Sequence, residues 1–410
     1  MQVDSMVSSP RKPKTARHEV PIGFADIGER EKRYVNEALD NKRLSYGPFI
    51  QRFEREFAAA HSCKHAIMCN SGTSALRVAI AAAKEKYGWK DGDEVLVPAV
   101  TFVATSNVLI QQNLKPVFVD VDALTYNLDP QDIGRHITPR TKGIMPVHLA
   151  GLPCDMDQIM ELKEDHKLVM VEDSCETMFS KYKGKPVGSF GEMSGFSTYV
   201  AHILVSGVGG LALTSDPELA VMLRSLCNHG RDGIYLSIDD DDGAHGKKLD
   251  MIMKSRFSFE RLGYSFRATE LEGALAFAQF ERREEIMAKR KANAKFLSSK
   301  LSDLRDVLQL PTVPAGREHA FMFYALVLKD GKYDRDELTL FLEEAGVETR
   351  YLLPLINQPI YRKLYGKLDS EYPVAANLNV NAFYVGIHPH LGERDLQHVS
   401  DVLHEFFERG

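Results

Sequence analysis

The chain has 410 residues, 44% of them hydrophobic and 26% charged, with 51 basic against 57 acidic side chains and a formal net charge of −6. That is enough chain for one large domain and a smaller second one. It lacks the basic, aromatic-interleaved stretches of a nucleic-acid binder and any apolar run near the roughly 18 residues that a membrane helix needs. The first 17 residues mix Ser, Pro and Lys without the apolar centre of a signal peptide, so a cytoplasmic protein with a disordered tail over residues 1–20 is expected. Five cysteines with no CxxC pair argue for reduced thiols.

In chain order, short β-rich runs alternate with helix-length segments from about residue 64 to 215: "HAIMC", "DEVLVPA", "KPVFVDVD", "TKGIMPVH", "KLVMVEDS", "GEMSGFSTY" and "GGLALTS". Such alternation predicts an α/β domain, a mostly parallel sheet with helices on both faces. The acidic run 239–242 reads as a solvated loop and receives no role. A Lys/Arg/Glu-rich stretch over residues 269–300 predicts one long helix. After it, "FMFYALVLK", a helix over 335–345 and the terminal "ERDLQHVSDVLHEFF" predict a smaller α+β unit. The expected division is a large domain over 21–280 and a small one over 281–410.

Three constellations carry chemistry. "CNSGTSALRVAI" (69–80) is a strand end, a turn and a helix with Ala75, Val78, Ala79 and Ala82 at helical spacing. Thr73 and Ser74 then lie at a helix N-terminus, where free N–H groups favour a phosphate, although Ser and Thr also begin many helices simply as caps. "VMVEDSCET" (169–177) places acidic residues at the C-terminal end of a buried strand, where open α/β sheets bind ligands. Asp173 there either pairs with a protonated ring nitrogen or caps the next turn. "FSTYVAHILVSGVGG" (196–210) holds Ser197, then His202, then a glycine-rich turn permitting close backbone approach.

In this order and spacing the three resemble the sugar aminotransferase family called DegT/DnrJ/EryC1/StrS. So do "LSYGPFIQRFEREFAA", "PAVTFVATSNVLI", "PVFVDVDALTYNLDP", "ITPRTKGIMPVHLAGLPCDMDQI", "GYSFRATELEGALAFAQF" and "YPVAANLNVNAFYVGIHP". The resemblance implies the aspartate-aminotransferase-like fold (fold type I of pyridoxal-phosphate enzymes) and a homodimer with shared active sites. It also implies a site of named parts. Thr73, Ser74 and Ser197 hold the cofactor phosphate, with Asn228 reaching in from the neighbouring subunit. Phe102 stacks on the pyridine ring and Asp173 keeps its nitrogen protonated. Glu176 stands where the family usually has Gln or His. Arg350 of "GVETRYLLPLINQP" is expected to face the site and meet the substrate.

The sequence departs from the family's aminotransferases at one decisive position. They carry a lysine where this chain has His202, and imidazole cannot form the stable imine that a lysine amine makes with the cofactor aldehyde. Lys181, Lys183 and Lys185 match a hairpin lying well before that position. One branch shares the replacement: dehydratases that use pyridoxamine 5'-phosphate to remove the C3 hydroxyl of nucleotide-linked 4-keto-6-deoxy sugars, with L-glutamate as amino donor. A histidine suits a proton shuttle because its pKa lies near neutrality. Within the branch, the resemblance is to the iron-free type acting on GDP-4-keto-6-deoxymannose. Cys175 matches one ligand of the iron–sulfur type, but Gly233, Ile234 and Tyr235 follow "GRD" where further cysteines would stand, so no metal is expected and Cys175 reads as packing. The rival readings are an aminotransferase-like enzyme without the covalent imine and a non-catalytic homologue that binds a sugar nucleotide.

Overall fold

Seven of the β-rich runs form one sheet. The structure, a computed structural model, describes residues 20–231, 243–329, 331–352 and 354–409. Its strands are β1 (His65–Cys69), β2 (Glu94–Pro98), β3 (Lys115–Val119), β4 (Thr141–Ile144), β5 (Val169–Asp173), the ribbon β6 (Lys181–Tyr182) and β7 (Lys185–Pro186), β8 (Met193–Ser197), β9 (Gly210–Thr214), β10 (Leu308–Gln309), β11 (Tyr324–Leu328), β12 (Thr349–Tyr351) and β13 (Ala382–Val385). The large sheet has the order β1-β9-β8-β5-β4-β2-β3. Only β9 runs against the others, pairing antiparallel with β1 and β8. Alternation along the strands feeds two cores. Val95 and Val97 of β2 and Val171 of β5 join the core under the helix Gly72–Lys86, while Leu96 and Met170 face the core of Met156 and Ile159.

The small sheet is antiparallel, in the order β10-β11-β13-β12. Its outer face buries Leu326 and Phe383 against Ala294, Leu297, Val399 and Leu403 of two helices, and its inner face sends Ala325, Val327 and Ala382 into the core beneath the large sheet. Inter-sheet packing thus brings residues from the last quarter of the chain over the carboxyl ends of the parallel strands.

The expected long helix is two, Glu270–Glu281 and Arg283–Lys300, separated at Arg282. Thr269 caps the first through a reciprocal bond with Glu272, and its neighbour Glu270 turns inward. That buried carboxylate accepts from the amides of Gly47, Phe49 and Ile50 at 2.8, 2.6 and 3.2 Å, so it caps the helix Pro48–Ala60 from across the chain. Residues 1–19, the run 239–242 and residues 232–235 lie outside the described residues. Val20 is buried and pairs with Val347.

Candidate active site

The carboxyl ends of β2, β4, β5 and β8 open onto one cavity of about 390 Å³, roofed by Tyr384 of the small sheet and by Met322 and Phe323 in the bend leading into β11. The two roof rings of Phe323 and Tyr384 stack at 4.1 Å. That is where a sheet of this topology leaves room for a ligand.

The acidic pair at the end of β5 divides by strand alternation. Glu172 faces the far side, where it accepts from the amides of Gly188, Phe190 and Gly191, each at 2.7 Å, and bonds His148 Nε2 at 3.1 Å. It is a structural group with its acceptors used. Asp173 faces the cavity floor. Its Oδ2 accepts from Thr105 Oγ1 at 2.7 Å and its Oδ1 from the Cys175 amide at 3.1 Å, and Thr101 bonds Thr105 behind it at 2.9 Å. Burial pushes its pKa up, opposed by those hydrogen bonds, and among the described residues no cation pairs with it. A buried carboxylate in that state has strong reason to accept a cationic partner.

The helix Gly72–Lys86 points its N-terminus into the same cavity. Ser71 is the N-cap, accepting from the Ser74 amide at 3.1 Å. Thr73, at the second helical position, lines the cavity together with Ser71 and Ser197. The structure places Ser74 differently from the sequence expectation. The helix begins one residue earlier, which turns Ser74 inward, and its hydroxyl bonds Asn70 Oδ1 at 2.7 Å and Ser71 Oγ at 2.9 Å instead of lining the cavity. Gly72 explains how tightly this corner is built: a Cβ there would stand 2.7 Å from Ser197 Cβ and 2.8 Å from Cys175 Sγ. Cys175, read from sequence as packing, forms part of the cavity wall. Asn228 ends the helix Pro217–Cys227 and bridges to Ser265, away from the cavity lining.

Phe102 stands 68% exposed at the cavity wall, an open aromatic face. Glu176, also on the wall, accepts from the Ala150 amide at 2.8 Å, and burial with the nearby Asp173 charge pushes its pKa up to about 7. His202 Nδ1 lies 2.6 Å from the Cys175 carbonyl. A carbonyl only accepts, so Nδ1 carries the proton and Nε2 keeps a lone pair. Burial pushes this imidazole down to about 4, with Arg290 adding to the shift, so it is a neutral base at ordinary pH. The loop that carries it closes through Thr198 N to Gly209 O at 3.0 Å and Val200 N to Gly207 O at 3.1 Å. A Cβ on Gly209 would fall 2.4 Å from Thr198 Oγ1, so the glycine is required.

Among the described residues no lysine lines the cavity. Lys183 pairs with Asp157, Lys185 sits over the Phe190 ring, and Lys181 is exposed. Arg350 does not line it either: on β12 it pairs with Glu348 at 2.5 Å, opposite Tyr384 in register. Sequence reading missed Ser71, Thr105, the Phe323–Tyr384 roof and Arg290. Of these, only Ser71 carried a local signal, as a serine directly before a helix.

These groups fit a pyridoxal phosphate. Asp173, with no ion pair among the described residues, suits a protonated ring nitrogen, Phe102 offers a ring face, and Thr73 and Ser197 line the cavity beside a helix N-terminus, which suits an anion. Among the described residues no helix is long and apolar enough to cross a membrane, and no group of three metal-ligating side chains is found. A family model described as the DegT/DnrJ/EryC1/StrS aminotransferase family matches residues 25–404. The GDP-perosamine synthase of Caulobacter vibrioides is 34% identical over 387 residues, covering 94% of this chain and 97% of that protein. The dTDP-4-dehydro-2,6-dideoxy-D-glucose 3-dehydratase of Saccharopolyspora spinosa is 31% identical, covering 93% and 85%. Among solved structures, the E coli GDP-4-keto-6-deoxy-D-mannose-3-dehydratase with bound hydrated PLP superposes with a TM-score of 0.85 at 26% identity, covering 94% of this chain and 99% of that one.

Proposed function

The chain belongs to the DegT/DnrJ/EryC1/StrS aminotransferase family, and from that premise we propose that it is a 3-dehydratase of a nucleotide-linked 4-keto-6-deoxy sugar, using pyridoxamine phosphate and no iron–sulfur cluster. The observation that carries the reading is a cavity with a neutral, half-buried histidine at position 202 and, among the described residues, no lysine on its walls. Pyridoxal phosphate is the cofactor. When bound, it supplies an electron-accepting ring and, in its amine form, a group that condenses with a ketone.

The protein's part is orientation and proton movement. Asp173 would hold the ring nitrogen protonated, with Thr105 and the Cys175 amide fixing its carboxylate. Thr73, Ser197 and the helix N-terminus would take the phosphate, and Phe102 would cover a ring face. His202 Nε2 accepts a proton and returns it, while the Cys175 carbonyl keeps Nδ1–H in place and so fixes which nitrogen is the base. Glu176, near half-protonated at neutral pH, stands on the same wall as a second proton carrier. The Ser74 hydroxyl is committed within its helix start and contributes to the phosphate site by shaping it. A cytoplasmic homodimer, with Asn228 offered to the neighbouring subunit, L-glutamate as amino donor and Arg350 turning to the substrate, completes the proposal. Its large and small domains are divided near residue 280.

The second reading, transamination without a covalent imine, is favoured by the name of the Caulobacter relative. Incubation with a 4-keto-6-deoxy nucleotide sugar, cofactor and glutamate separates them. A dehydratase returns a keto sugar lacking the C3 oxygen. A transaminase returns an amino sugar with that oxygen retained, and that product would overturn the proposal.

A further inference from the structure

Arg290 is a fully buried cation that no carboxylate accompanies. It stands on the helix Arg283–Lys300, 2% exposed, and forms no ion pair among the described residues. Its charge is met instead by three backbone carbonyls: Nη1 donates to Phe321 O and Met322 O, each at 3.0 Å, and Nη2 donates to His202 O at 3.0 Å. Met322 and His202 both line the active-site cavity, one from the small-sheet side and one from the β8–β9 loop. Burying an arginine without a counter-charge is costly, and a helix facing only packing needs would carry leucine there.

We propose that Arg290 is a positioning residue for His202: it clamps the loop of the base to the roof segment across the cavity and so holds the direction in which Nε2 points. This rests on His202 being the base. The hydrogen bonds give this effect directly. The Nη2 bond fixes the His202 carbonyl, and the ring of the same residue is fixed at Nδ1 by Cys175, so the residue is held at two points and Nε2 has one direction left. The other groups facing the imidazole are Tyr199, in edge contact at 6.1 Å between ring centroids, with Asp173, Cys175 and Glu176 on the same walls. Arg290 is the only permanent cation among them. Among the described residues its Nε has no hydrogen-bond partner, and neither has Nδ1 of His388, whose pKa is lowered by burial and further by the arginine's charge.

The test is nitrogen-15 NMR of the imidazoles in the full-length protein, which reads His202 without requiring turnover. In the parent protein His202 should stay neutral as the Nδ1–H tautomer from pH 8 to 5. Arg290→Met should release the tautomer and speed amide exchange of the 198–209 loop, while burial still keeps the titration midpoint low. Arg290→Lys keeps the charge but spans fewer carbonyls, so it should hold the midpoint low while amide exchange of the 198–209 loop speeds up. If Arg290→Met leaves tautomer and loop exchange unchanged, the arginine is packing only and the proposal fails. Should that variant not fold, Arg290→Gln, too short to span the three carbonyls, decides the matter in the same way: a released tautomer and faster loop exchange support the proposal, and unchanged ones overturn it. Because none of these readouts involves sugar, their failure is distinct from failure of the dehydratase reading, which product analysis decides.

Discussion

At the residue scale, the chemistry turns on what occupies position 202. With no lysine on the cavity wall among the described residues, the proposed reading has the cofactor held without a covalent bond, so borohydride treatment followed by denaturation should leave the polypeptide mass unchanged. A stable gain of one reduced cofactor on any lysine would contradict this. His202→Lys should produce that gain and suppress dehydration. His202→Asn should keep cofactor binding and lose about a hundredfold to ten-thousandfold in rate, the usual worth of a positioned acid–base group; turnover at the parent rate would shift the proton work to Glu176. Asp173→Asn keeps shape and removes charge, so the chemical step should slow by far more than binding weakens, whereas loss of binding alone would mark a structural cap. The departure at His202 could be read from sequence because it breaks a dense local motif. Arg290 could not, since a buried arginine in a Lys/Arg-rich helix looks like any solvated charge until its carbonyl partners, up to 88 residues away, are in place.

At the element scale, helix starts explain both what was legible and what was shifted. The seven β-runs emerged because Val, Ile and Leu alternate or cluster between turn residues, and the buried Ala75, Val78, Ala79 and Ala82 follow from helical spacing alone. What slipped was one residue of register: Ser71 rather than Thr73 or Ser74 is the cap, and Ser74 consequently faces inward. The break at Arg282 was invisible because a Lys/Arg/Glu-rich stretch favours helix on either side of it. The antiparallel course of β9 was equally hidden, since hydrophobic patterning carries no strand direction. The clearest element-level prediction concerns Glu270, which accepts three amides of a helix start 220 to 223 residues before it. Glu270→Ala should cost about 2–3 kcal/mol, the penalty for stripping a charged acceptor from buried donors, measured as a lower urea midpoint with unchanged slope. An unchanged midpoint would mean that water caps that helix.

At the scale of the whole molecule, buried imidazoles set the acid limit of stability. His61 and His202 are pushed down to about 4, His319 to about 3 and His388 to about 4, each chiefly by burial. Unfolded, each returns to 6.5, so the unfolded chain binds more protons across the window from about 4 to 6.5. Stability therefore rises with pH there and is lost as the pH falls. Glu176, raised from 4.5 to about 7, works in the opposite sense over its own window. His319 Nδ1 accepts from the Phe321 amide at 2.9 Å and cannot do so when protonated. His319→Gln should therefore make the change in unfolding free energy between pH 5 and 6 shallower by the equivalent of about one proton, on the order of 1.4 kcal/mol; an unaltered slope would contradict the assignment. All these scales meet in one activity, and one measurement tests it most directly: mass spectrometry of the sugar nucleotide recovered after incubation in deuterium oxide with pyridoxamine phosphate and glutamate. A 3-dehydratase should return a keto sugar that has lost the C3 oxygen and carries solvent deuterium at C3. A product bearing nitrogen at C4 with every other oxygen in place would contradict it.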